Sequence, residues 1–80
     1  MVIVPEREMT IQDVVDKYEA THDIDCIWVK TENGKYVVAK GSSPILRYEA
    51  DERIDDETEQ VIPIVDLYIW IDERYVIRET

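Results

Sequence analysis

Val61-Ile62-Pro63-Ile64-Val65-Asp66-Leu67-Tyr68-Ile69-Trp70-Ile71 is the longest apolar run in the chain, and its reading sets the fold. At period two, Val61, Pro63, Val65, Leu67, Ile69 and Ile71 are uniformly apolar, as one buried face of a sheet requires. The alternate residues, Ile62, Ile64, Asp66, Tyr68, Trp70 and Asp72, are too apolar for a plain solvent face and too polar for a second core. The run therefore reads as a central strand whose second face is either covered by a helix or offered to a partner. It is too short to span a bilayer and carries Pro63 and Asp66, so no membrane segment is expected.

Upstream, Ile11, Val14, Val15 and Tyr18 fall at i, i+3, i+4 and i+7, with Gln12, Asp13, Asp16, Lys17 and Glu19 on the other side. Thr10 precedes this stripe as an N-cap, and Asp13 supplies the acid of a capping box, so a helix is predicted over residues 11–20. Residues 1–4 read as a short edge strand ended by Pro5. Residues 24–30 and 35–40 flank Asn33-Gly34, which predicts a type I′ hairpin pairing Lys30 with Val37 and Val29 with Val38. That register puts Ile27, Val29 and Val38 on one face and Ile24, Cys26, Trp28, Val37 and Ala39 on the other. Ser43-Pro44 could open a helix, but Ile45 to Glu49 alternates like a strand, and a meander continues more simply that way. Tyr75-Val76-Ile77-Arg78 reads as a last strand. The expectation is one α+β domain over residues 1–80: a single N-terminal helix packed on a four- to five-stranded, mostly antiparallel sheet. An acidic mobile loop is expected at about residues 49–60.

Charge narrows the function classes. Nineteen acids against nine basic residues give −10, a field that repels nucleic acid and anionic membrane and favours basic surfaces. Residues 49–60 hold seven of the acids and one arginine. Cys26 is the sole cysteine, which excludes an intrachain disulfide and a cysteine-rich zinc site. The first eight residues show no basic segment followed by a long apolar one, so no secretion signal is expected and a cytoplasmic setting is.

Site chemistry is sparse. His22 is the sole histidine, and it suits the C-terminal end of the helix; Cys26, four residues on, reads as a small buried hydrophobe. The acidic run lacks the glycine and the ligand spacing of a calcium loop, and two glycines in the whole chain make no phosphate cradle. Lys30, Lys35 and Lys40 read as guards of a sheet edge rather than as a nucleic-acid patch. No catalysis, metal or cofactor is expected.

A small, acidic chain without site chemistry resembles the viral and mobile-element inhibitors of host defence, the DNA mimics and anti-CRISPR proteins among them. In size, acidity and helix-plus-sheet order it is similar to the uracil-DNA glycosylase inhibitors; the resemblance lies in composition and element order. It implies a protein that blocks a basic surface of a nucleic-acid-binding protein. Glu49, Asp51, Glu52, Asp55, Asp56, Glu57 and Glu59 then stand in for phosphates, while Tyr68 and Trp70 anchor the contact. The residues leave a second reading open: a homodimer or larger homo-oligomer, joined through Tyr68 and Trp70 or through an edge at residues 76–78.

Overall fold

The computed structural model describes residues 2–3, 9–54 and 62–77. The chain runs β1 (Val2–Ile3), α1 (Ile11–Glu19), β2 (Asp23–Thr31), β3 (Arg47–Arg53), β4 (Ile64–Ile71) and a 3-10 turn (Glu73–Tyr75). The sheet order is β1-β3-β4-β2, so the apolar run becomes an inner strand from Ile64 to Ile71; Ile62 and Pro63 precede it and Val61 lies outside the described residues. β3 lies antiparallel to β4 from Arg47↔Trp70 to Arg53↔Ile64, and β2 lies parallel to it from Asp23↔Ile64 to Thr31↔Ile71. β1 is antiparallel to β3 and therefore runs with β4 and β2. The β1–α1–β2 connection is thus a crossover between the two edges of the sheet, and it lays the helix across one face.

The helix starts where its cap dictates. Thr10 N–H donates to Asp13 Oδ2 at 2.9 Å and Asp13 N–H donates to Thr10 Oγ1 at 3.2 Å, satisfying two amides that no helical carbonyl can reach. Ile11, Val14 and Tyr18 then turn inward. They meet Val65, Leu67, Ile69 and Ile71 of β4, Tyr48 of β3 and Ile45 in one core. All four β4 residues and Tyr48 are fully buried. Lys17 Nζ donates to the Tyr48 hydroxyl at 3.0 Å, which gives that buried phenol its partner.

The α+β class stands, with one helix on a sheet. The expected four- to five-stranded, mostly antiparallel sheet does not form. Among the described residues there are three full strands and a two-residue edge piece, and the longest pairing, β2 with β4, is parallel. Three local differences explain this. First, the Asn33-Gly34 turn closes by a hydrogen bond from Gly34 N–H to Thr31 O, with Gly34 at φ +84°. Lys30 consequently bridges to Tyr36 rather than Val37, a one-residue slip that exchanges the faces of the second arm. That arm pairs only briefly with the outer edge of β2 before Ala39 bridges to Val76, so it adds no further full strand to the sheet. Second, a bulge between Ile24 and Cys26 re-phases β2, so that Ile24 joins Val29 against the core instead of sharing a face with Cys26 and Trp28. Third, no strand forms at residues 75–77. Asp72 accepts from Arg74 N–H at 3.0 Å and starts the 3-10 turn, leaving Val76 with an isolated bridge to Ala39 and Ile77 with one backbone hydrogen bond to Val38; Arg78 lies outside the described residues.

The acidic segment also starts differently from the expectation of a loop. Residues 49–53 are strand, paired residue by residue with β4, while residues 55–60 lie outside the described residues. Of residues 45–49, which the alternating pattern assigned to a strand, Arg47, Tyr48 and Glu49 lie in β3, whereas Ile45 and Leu46 precede it.

Leu67→Ala should cost about 2–5 kcal/mol in urea unfolding, because it opens a cavity under α1. Val38→Ala, at a side chain 68% exposed, should stay within roughly 0.5 kcal/mol of the parent.

Candidate functional site

The register sorts the candidate residues between two faces. With Val65, Leu67, Ile69 and Ile71 turned to the helix, Asp66, Tyr68 and Trp70 must point the other way. Cross-strand pairing then builds rows on this open face: Lys30, Trp70 and Arg47; then Trp28, Tyr68 and Glu49; then Cys26, Asp66 and Asp51. No described helix covers it.

Aromatic rings and cations dominate its upper half. Trp28 packs edge-on against Tyr36 with centroids 5.4 Å apart, and these two remain 41% and 58% exposed. The Lys30 ammonium lies 5.0 Å from the Tyr36 ring centre, 5.6 Å from Tyr68 and 5.3 Å from Trp70. Arg47 stacks 4.5 Å from the Trp70 centre while donating to Glu32 at 3.0 and 3.2 Å. Tyr68 and Trp70, half-buried, therefore belong neither to the core nor to a bare surface; they are the centre of the open face.

The lower half is a carboxylate–guanidinium cluster. Arg53 donates to Asp66 at 2.7 Å and to Asp25 at 2.6 Å, and these bonds hold its guanidinium charged. Cys26 lies beside the two acids, all three offering ligand atoms within 4.8 Å of one another. Partial burial, and then the charges of Asp25 and Asp66, push the Cys26 thiol up and keep it protonated. The cluster therefore already has a cation in Arg53. Asp66 Oδ1 is buried with no hydrogen-bond partner among the described residues, a desolvated acceptor whose charge Arg53 offsets through the other oxygen. Partial burial, then Asp66 and Asp51, also push the Tyr68 phenol up.

Of the predicted docking residues, Glu49, Asp51, Tyr68 and Trp70 share the open face. Glu52 does not. It pairs with Val65, points to the helix side and binds His22 Nε2, whose other ring nitrogen meets Thr21 Oγ1 at 2.7 Å. That partner also occupies His22, so it forms no pair with Cys26. Asp55, Asp56, Glu57 and Glu59 lie outside the described residues. Sequence reading missed Trp28, Lys30, Tyr36 and Arg47. The period-two pattern of Cys26, Trp28 and Lys30 was visible, but joining it to Asp66, Tyr68 and Trp70 required the parallel register.

No protein-family model, curated protein or solved structure matches this chain. No helix among the described residues is long and apolar enough to cross a membrane.

Arg53→Met should lower the urea midpoint by leaving Asp25 and Asp66 facing each other, and adding Asp66→Asn should recover part of the loss. On the helix side, burial and then the neighbouring Tyr48 hold the Tyr18 phenol at about 12. At Tyr18 the folded and unfolded chains are equally protonated below about pH 10; between there and pH 12 this phenol ionises first in the unfolded chain, so its contribution to stability falls with rising pH. Urea titrations at about pH 9 and pH 11.5 should show that fall, and Tyr18→Phe should reduce it by roughly 1–3 kcal/mol.

Proposed function

We propose that this chain is a small acidic, non-catalytic binding module that acts as an inhibitor. It seats on a basic, nucleic-acid-binding surface of another protein and keeps nucleic acid away from it. The observation that carries this reading is the open sheet face, where Glu49 and Asp51 stand beside Tyr68, Trp70 and the exposed Trp28. Aromatic rings supply desolvated contact area, and carboxylates supply steering and orientation toward a cationic partner. The overall charge of −10 works in the same direction and opposes direct binding to nucleic acid. In this reading the module belongs to the viral or mobile-element anti-defence class, works in the cytoplasm and needs no cofactor.

A homodimer through the same face is the second reading, favoured by the exposure of Trp28 and Tyr36. It ranks lower because stacking two copies brings Glu49 and Asp51 toward their own like charges. Pairing at the outer edge of β2 is hindered by Asp23, Asp25 and the bulge.

The test is affinity capture with the full chain as bait, followed by competition. Retained proteins should be basic nucleic-acid binders, held at about 0.05 M salt and released by about 0.5 M salt or by excess duplex DNA. Retention indifferent to both salt and DNA overturns the proposal. A mass in sedimentation that doubles with concentration and reverts on Trp70→Ala supports the dimer instead.

A further inference from the structure

We infer that the groove bounded by Glu49, Asp51, Tyr68 and Trp70 is a receptor for one arginine side chain of the basic partner. This rests on the docking role proposed for the open face and names the chemical group that the face recognises.

The charge inventory of the face leads to it. Arg47 is engaged by Glu32, and Arg53 by Asp25 and Asp66. Glu49 and Asp51 are then carboxylates beside the aromatic rows of this face with no cation partner among the described residues. They lie two residues apart on β3, on the same side, across from Tyr68 and Asp66. Both line a shallow groove of about 280 Å³ whose other walls are Lys30, Tyr68 and Trp70. That volume suits a single head group better than a drug-sized ligand.

The rings point independently to a cation. Lys30 lies within 5.6 Å of the Tyr68 centre and 5.3 Å of Trp70, and no carboxylate among the described residues comes within ion-pair distance of it. The aromatic surface thus already holds one ammonium without a counter-ion. Lys30 is carried on a flexible stem and can leave, whereas its ring platform is fixed by the strand.

Guanidinium fits this setting better than ammonium. A planar head can lie against a ring while its N–H fork reaches two acceptors, and ammonium cannot do both. The same face contains the arrangement in miniature: Arg53 bridges Asp25 and Asp66, which come from different strands, at 2.6 and 2.7 Å. An incoming arginine makes a comparable bridge between Glu49 and Asp51 on one strand, taking as its stacking surface the ring of Tyr68, since Arg47 already lies over Trp70.

The test uses the full chain and two unstructured Gly/Ser peptides of equal charge, one carrying four arginines and the other four lysines. Calorimetry measures affinity, and tryptophan fluorescence reports contact at the face. The arginine peptide should bind about ten-fold more tightly than the lysine peptide. Glu49→Gln/Asp51→Asn should abolish that preference, while Asp16→Asn/Glu19→Gln, the same charge change on the exposed side of α1, should preserve it. Lys30→Met should tighten arginine binding several-fold, and Lys40→Met, with the same charge change in the loop beside the start of α1, should not. Equal, salt-sensitive binding of both peptides overturns the arginine site and leaves the broader electrostatic reading standing. Absence of binding by either peptide at low salt overturns both.

Discussion

The structure depends on enclosing one side of β4. Val65, Leu67, Ile69 and Ile71 lose all contact with water, and a strand reaches that state only with a neighbour on each edge and a cover on its face. β3 and β2 supply the neighbours, and α1 supplies the cover. In a chain of eighty residues that arrangement uses the one described helix, so the opposite face is left to its own side chains.

How the open face solves this problem shapes its chemistry. Its rings are too large to leave bare and too polar in their surroundings to make a second core. They are shielded by cations, with Lys30 near three rings and Arg47 over Trp70. Those cations are in turn drawn from a chain with a large excess of acid. The result is a surface whose positive charges are engaged internally and whose Glu49 and Asp51 are not. Glu52, one position out of phase, falls on the other side and serves the fold by closing the end of α1 onto His22. A single strand therefore sends alternate acids to different tasks.

Much of the local structure was legible. Thr10, Asp13 and the spacing of Ile11, Val14 and Tyr18 specify the helix because capping and periodicity act over three or four residues. The buried side of β4 was legible for the same reason. The hairpin was half legible: a turn at Asn33-Gly34 was clear, but its closure at Gly34 moved the register by one residue and reversed a face. The bulge at Asp25, invisible in composition, did the same for Ile24.

The sequence by itself determined the helix, the inner strand and the excess of negative charge, since each follows from neighbouring residues. The tertiary structure alone decided that β2 lies parallel to β4, and with it the meeting of Trp28 and Lys30 with Tyr68 and Trp70. It also decided which acids of residues 49–53 share their face. Strand order and register are set by the competition of distant segments for the two edges of β4. No local pattern records the outcome of that competition.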